Sequence, residues 1–141
     1  MSATFHGRDI FAPIAAELAA GRVAPAALGD RVDRIVPSWV DAPSVTDGRI
    51  VGQVITIDHF GNLITDIDAS LLRELREPWV HAAGRVLPLR RTYGDSTPGS
   101  PLALVNSFDV LEIAVAEGRA VDTLGLSWGA PVIVVDGVRR N

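Results

Sequence analysis

The feature that most constrains this 141-residue chain is a change of pattern at Arg49. Upstream, apolar residues recur at helical spacing; downstream, short runs of β-branched and apolar residues alternate with turn residues. Such runs are typical of strands. We therefore expect an α+β fold that is mainly β: a short helical N-terminal arm over 1–48 and a small antiparallel, barrel-like domain over 49–141.

The N-terminal arm contains one predicted helix, over 9–21. Its apolar residues fall near helical spacing, and Gly21 is a natural stop. A further helical turn is expected over 24–29. Residues 30–48 lack periodicity and contain two prolines, which predicts a linker.

In the C-terminal domain the pattern predicts several short strands and two short helical segments. The strands are expected over 50–57, 63–67, 102–106, 110–115 and 132–135, with a hairpin of 79–83 and 85–91 about Gly84. The helical segments are expected over 68–75, capped by Asp68, and over 120–124, ended by Gly125.

Composition excludes several classes of function. The net charge is -4 without a basic run, which argues against nucleic-acid binding. The absence of cysteine excludes disulfides and thiolate chemistry. Three histidines lie far apart, so neither a metal site nor a cofactor is expected. Without a long apolar stretch or a signal-peptide pattern, the expected location is the cytoplasm and no membrane partner is expected.

Residues 4–13 place a histidine, an arginine and an aspartate at the start of the first helix. Histidine is the usual proton shuttle near neutral pH, so His6 is a candidate catalytic residue. The structural alternative is that Asp9 caps the helix and His6 is an ordinary terminal residue. Spacing alone favours that alternative.

Residues 57–67 place a polar and aromatic cluster between two apolar strands. Phe60 can stack on a base, the Asn62 amide offers both a donor and an acceptor, and Asp58 can pair with an ammonium group. In the structural alternative this is a hairpin in which Asn62 supports the turn and Phe60 belongs to the core.

Residues 105–114 again place a polar pair, Asn106 and Ser107, between two strands. Because no base is signalled nearby, Ser107 is not interpreted as a nucleophile. In the structural alternative it is a turn residue whose hydroxyl bonds to the backbone.

Taken in order, these segments resemble the S-adenosyl-L-methionine (SAM) hydroxide adenosyltransferases, the hydrolase relatives of the fluorinase and chlorinase. The resemblance covers essentially the whole chain. It is carried by residues 4–13, by Asp58-x-Phe60-Gly61-Asn62-Leu63-x-Thr65 and by Asn106-Ser107-Phe108-x-x-Leu111-Glu112-Ile113-Ala114.

The resemblance implies an N-terminal α/β domain, of which residues 1–48 are the tail, and a C-terminal β-barrel-like domain. It implies a homotrimer with each active site between the N-terminal domain of one subunit and the C-terminal domain of its neighbour. The implied reaction is attack of water on the ribose 5′ carbon of SAM, releasing adenosine and L-methionine.

The resemblance also implies roles for individual residues. Phe60 and Asn62 match residues that contact the adenine, and Asp58 matches the carboxylate that receives the methionine ammonium. Ser107 matches a serine that holds the methionine carboxylate, and Tyr93 lies where an aromatic contacts the nucleoside.

His6 matches the histidine that holds the attacking water. The aspartate and arginine that act with it belong to an earlier segment, so these 141 residues alone are expected to be inactive. A halogenase is disfavoured, because the halogenating enzymes have a tyrosine at His6 and an arginine at Phe108. A nucleoside-binding or oligomerisation module without chemistry is the other alternative.

Overall fold

The computed structural model describes residues 5–34 and 41–137 of the chain. The chain divides into two units, Met1–Ser38 and Trp39–Asn141. Part of the predicted linker, 35–40, lies outside the described residues. Among the described residues, no helix is long and apolar enough to cross a membrane.

The described part of the N-terminal unit contains one helix, which starts with a π-helical turn at Gly7–Phe11 and continues as α1, Ala12–Ala19. The predicted helix is confirmed, although it begins and ends slightly earlier than expected. Asp9 is not its cap: it lies inside the π-helical turn and pairs with the neighbouring Arg8, while His6 occupies the cap position. The predicted further turn is a 3-10 turn at Pro25–Ala27.

The C-terminal unit is built from short strands and two short helices. The strands are β1 (Ser44–Thr46), β2 (Arg49–Ile57), β3 (Leu63–Asp68), β4 (Pro78–Ala82), β5 (Arg85–Leu87), β6 (Leu89–Arg90), β7 (Pro101–Val105), β8 (Val110–Val115) and β9 (Pro131–Asp136). The helices are α2 (Ala69–Arg73) and α3 (Ala120–Leu124).

One sheet connects these strands in the order β5-β4-β9-β2-β3-β8-β7-β6, with β1 added beside β2. The long strand β2 joins the two halves of the sheet, since its first part pairs with β9 and its last part with β3. A register shift between Val54 and Thr56 bends it there. At the far ends β5 contacts β7 and β4 contacts β6. The sheet is therefore nearly closed and barrel-like, which confirms the predicted fold class.

Alternate residues of the strands fill the inside of the barrel. Ile50 and Val54 of β2 and Val132 and Val134 of β9 are almost completely buried. Such alternation is what a half-buried strand requires. Gly52 lies among them because a Cβ there would overlap the carboxylate of Asp66 and the side chain of Ile67.

Two features differ from the prediction. The segment predicted as one strand over 85–91 is divided at Pro88 into β5 and β6, and β6 pairs in parallel with β7 instead of continuing the hairpin. Proline has no N–H to donate to a ladder, which explains the break. The predicted linker contains β1, whose pairing with β2 no local periodicity could show.

Both short helices begin where the sequence predicts, and α3 also ends there, whereas α2 ends at Arg73, two residues before the predicted end. The Asp68 side chain accepts the Ser70 backbone N–H at 2.7 Å, which is an N-cap of α2. Gly125 adopts a left-handed conformation, φ 63°, at the end of α3. Both helices join the core of the barrel, α2 through Leu72 and α3 through Ala120.

Candidate functional site

A cavity of about 1230 Å³ opens in the C-terminal unit, between the ends of β2, β3, β7 and β8. All five residues that the sequence assigned to substrate binding line it: Asp58, Phe60, Asn62, Tyr93 and Ser107. They come from three separate segments of the chain, which the curvature of the sheet brings together. A cavity of this size accommodates a drug-sized ligand.

The turn between β2 and β3 is held by Asp58. Its two carboxylate oxygens accept the backbone N–H and the side-chain Nδ2 of Asn62, at 2.8 and 2.9 Å. The Asp58 N–H in turn donates to the Asn62 carbonyl at 3.0 Å. Asn62 is only 7% exposed, so these bonds fix the orientation of its amide.

Arg119, which precedes α3, fixes the same turn from the other side. Its Nη1 donates to the His59 carbonyl at 3.0 Å and its Nε to Asp122 at 2.9 Å. Gly61 has φ +86°, and a Cβ there would lie 2.9 Å from the Arg119 side chain. Arg119 could not be identified from the sequence, because its partner in the turn lies sixty residues away along the chain.

Phe60 and Phe108 present aromatic surface at the cavity. They are 72% and 79% exposed, respectively. Phe60 is therefore not a core residue, and the structural alternative considered for it is wrong. Exposed aromatic faces beside a polar amide are suited to a flat, hydrogen-bonding ligand such as a nucleobase.

The loop between β7 and β8 is shaped by Asn106. Its Oδ1 accepts the Phe108 backbone N–H at 2.9 Å, and its own N–H donates to the Val110 carbonyl at 3.0 Å. The Ser107 hydroxyl makes no hydrogen bond to another described residue, so the turn is held by Asn106 and not by the serine. The Ser107 hydroxyl is thereby left available to a ligand.

Glu112 lies in the cavity wall and is only 3% exposed. Its Oε1 accepts the Tyr93 hydroxyl at 2.6 Å and its Oε2 accepts Asn106 Nδ2 at 3.1 Å. No role for Glu112 was predicted from the sequence. The available signal was a charged residue within an otherwise apolar strand.

Burial raises the pKa of Tyr93, and so do the hydrogen bond to Glu112 and the negative charges of Glu112 and Asp58. Its phenol is therefore neutral near pH 7. A 3-10 turn at Tyr93–Asp95 positions the ring, with Asp95 accepting the Thr92 N–H at 3.0 Å. Because the hydroxyl is already bonded, the ring is the part of Tyr93 that remains for a ligand.

His6, the predicted catalytic residue, belongs to the N-terminal unit. It is exposed and makes no side-chain cap hydrogen bond. Its catalytic role remains a prediction. The five predicted substrate-binding residues, by contrast, form a cavity within the C-terminal unit itself.

Comparison with known proteins gives curated relatives named (R)-S-adenosyl-L-methionine hydrolase. That of Thermus thermophilus is 45% identical over 92% of this chain and 48% of its own length. That of Salinispora arenicola is 40% identical over 97% of this chain and 52% of its own length. The chain thus spans about half the length of the curated relatives it matches.

Two solved structures are also similar. A conserved protein of Thermotoga maritima matches with a TM-score of 0.69 and 31% identity, over 96% of this chain and 54% of that one. A conserved protein of Thermus thermophilus matches with a TM-score of 0.64 and 40% identity, over 92% of this chain and 52% of that one.

The family model described as the SAM hydroxide adenosyltransferase C-terminal domain matches residues 52–133. This region contains all the described residues that line the cavity and more than half of the chain. The chain belongs to the SAM hydroxide adenosyltransferase family.

Proposed function

We propose that the chain is the C-terminal part of an enzyme that hydrolyses SAM to adenosine and L-methionine, and that its C-terminal unit supplies the adenosine and methionine pocket. One observation carries the proposal: the five residues that resemblance assigns to the substrate line a single cavity. The names of the curated relatives agree with this substrate.

The adenosine side of the proposed pocket is formed by Phe60 and Asn62. The exposed ring of Phe60 stacks on the adenine, and Asn62 presents the part of its amide that Asp58 does not use. One N–H of Nδ2 is bonded to Asp58. The other N–H and the carbonyl oxygen are left to bond the donor and acceptor groups of the base.

The methionine side is formed by Asp58, Ser107 and an arginine. Each Asp58 oxygen accepts one hydrogen bond from Asn62 and keeps a further lone pair for the ammonium. Where the halogenating enzymes place an arginine, this chain has Phe108, so the carboxylate needs another cation.

Among the described residues, two arginines line the cavity, Arg91 and Arg119. Arg119 is bonded to Asp122 and to the His59 carbonyl. Arg91 forms no ion pair or side-chain hydrogen bond with another described residue. We assign the methionine carboxylate to Arg91, which can bind it with two parallel hydrogen bonds.

The reaction makes modest demands on the protein, because the sulfonium leaves as a neutral thioether that needs no protonation. Positioning a water in line with the ribose 5′ carbon, and accepting its proton, provides most of the acceleration. By resemblance His6 contributes to holding this water. The aspartate and arginine that act with it are expected from an N-terminal domain, and a homotrimer would place them at the cavity.

A second candidate is nucleoside binding without chemistry. It is favoured by one observation: the described residues that line the cavity all belong to the C-terminal unit. Binding and catalysis separate the two candidates. The 141-residue chain binds ligand in either case, whereas turnover after addition of a relative's N-terminal domain is expected only of the hydrolase.

The test is calorimetric titration of the full chain with adenosine and, separately, with SAM. We expect both to bind, and Asn62→Ala and Phe60→Ala to weaken both about tenfold or more. Trp128→Ala is the matched control for Phe60→Ala, because Trp128 is 65% exposed and lies outside the cavity lining. Absence of binding to the wild-type chain would contradict a pocket in this unit.

A further inference from the structure

Glu112 is the charged residue of β8, a strand in which five of six positions are buried. Its neighbours along the strand, Leu111 and Ile113, are completely buried. Burying a carboxylate is unfavourable unless hydrogen bonds compensate it. The Glu112 carboxylate nevertheless lies in a cavity wall, and we infer that it does more there than fill the core.

The two oxygens of Glu112 connect two walls of the cavity. One accepts the Tyr93 hydroxyl at 2.6 Å, and Tyr93 lies between β6 and β7. The other accepts Asn106 Nδ2 at 3.1 Å, and Asn106 follows β7 directly. A single carboxylate therefore holds a side chain from each of two loops.

Asn106 also shapes the rest of its own loop, between β7 and β8. Its Oδ1 accepts the backbone N–H groups of Phe108 and Val110, at 2.9 and 3.4 Å. With Nδ2 bonded to Glu112, both ends of the amide are used. The position of the loop that carries Ser107 and Phe108 therefore depends on the buried carboxylate of Glu112, through Asn106.

We propose that Glu112 is a positioning residue, whose carboxylate sets the Tyr93 ring against the cavity and, through Asn106, fixes the loop that carries Ser107. The proposal deepens the proposed function and rests on it where it concerns adenosine and SAM. Glu112 is only 3% exposed, so we assign its carboxylate no direct contact with the ligand. It acts through Tyr93 and Asn106.

The experiment compares the full wild-type chain with Glu112→Gln, which keeps the shape of the side chain and removes its charge. The first readout is the ultraviolet titration of tyrosine. Tyr93 is the one tyrosine of the chain, and the chain contains neither lysine nor cysteine, so the alkaline titration reports Tyr93. We expect Glu112→Gln to lower the pKa of Tyr93 toward its ordinary value.

The second readout is calorimetric titration with adenosine. We expect Glu112→Gln to weaken binding roughly tenfold, as is typical for loss of hydrogen bonds to a charged group. Glu74→Gln is the control, because Glu74 is exposed and lies outside the cavity lining. Tyr93→Phe is measured alone and combined with Glu112→Gln. The combined loss should be smaller than the product of the single losses, because Glu112→Gln weakens the same bond that Tyr93→Phe removes.

An unchanged Tyr93 titration in Glu112→Gln, or fully multiplicative losses in the double variant, would overturn the positioning role. If Glu112→Gln does not fold, Glu112→Asp carries the same test. Aspartate keeps the charge, but its shorter side chain moves the carboxylate away from the Tyr93 hydroxyl, so the pKa of Tyr93 should again fall. If the wild-type chain does not bind adenosine, the proposed function fails, while the tyrosine titration still decides whether Glu112 holds Tyr93.

Discussion

Asp58 orients Asn62: its carboxylate accepts both the backbone and the side-chain N–H of Asn62, at 2.8 and 2.9 Å. The residue expected to bind an ammonium group is therefore also the residue that sets the direction of the base-reading amide. One carboxylate connects the two ends of the proposed substrate.

Because of this double role, Asp58→Ala should weaken binding of adenosine, which has no ammonium group, as well as binding of SAM. We expect a roughly three- to tenfold loss for adenosine and a larger one for SAM. Calorimetric titration with each ligand compares the affinities of wild type and variant. Asp41→Ala is the control, because Asp41 is exposed. Unchanged adenosine affinity would show that Asp58 does not orient Asn62.

Arg91→Ala should weaken SAM binding about tenfold and leave adenosine binding unchanged, because adenosine lacks the carboxylate that Arg91 is proposed to bind. Arg90→Ala is the matched control, since Arg90 is adjacent and exposed but does not line the cavity. Equal effects of the two variants on SAM would rule out this assignment.

Gly61→Ala should destabilise the protein more than Gly84→Ala. Both glycines have a positive φ, +86° and +69°, so each substitution introduces backbone strain of about 1–2 kcal/mol. Only at Gly61 would the added Cβ also meet Arg119, because the space at Gly84 is open. Urea unfolding of the two variants gives the difference in their free energies of unfolding. Equal losses of stability would mean that the Arg119 side chain moves away from the added Cβ at no cost.

The raised pKa of Tyr93 makes stability fall at alkaline pH. The unfolded chain loses the phenolic proton near the ordinary pKa of 10.0, while burial, the hydrogen bond to Glu112 and the charges of Glu112 and Asp58 make the folded chain retain it to higher pH. The stabilisation is therefore complete below that value and is lost as pH rises toward the folded pKa. Urea unfolding at neutral pH and above about pH 10 should show a steeper loss for wild type than for Tyr93→Phe. If the free energy of unfolding falls equally with pH in wild type and Tyr93→Phe, the pKa of Tyr93 is not raised in the folded state.

Much of the barrel could be predicted because its signals are local. Alternation identifies β8, the Asp68 cap identifies the start of α2, and Gly125 marks the end of α3. The parallel pairing of β6 with β7 could not be predicted, since it depends on how the sheet closes after Pro88.

The candidate site divides in the same way. The turn at Asp58 and Asn62 has its residues close together in the sequence, so its polar cluster is visible there. The bonds from Tyr93 to Glu112 and from Arg119 to His59 span nineteen and sixty residues, respectively. Which distant donor meets which acceptor depends on how the strands are ordered and registered in the sheet, and a single sequence does not reveal this.

Keeping the buried carboxylate of Glu112 lowers the stability of the barrel in return for a cavity that can bind its ligand. A chain selected for folding alone would gain by placing an apolar side chain at this position. Substitutions that improve the heat resistance of the barrel should therefore accumulate readily in this wall and remove ligand binding as they do so. In directed evolution for thermal tolerance without selection for binding, we expect Glu112 to be replaced by an apolar residue and ligand binding to be lost.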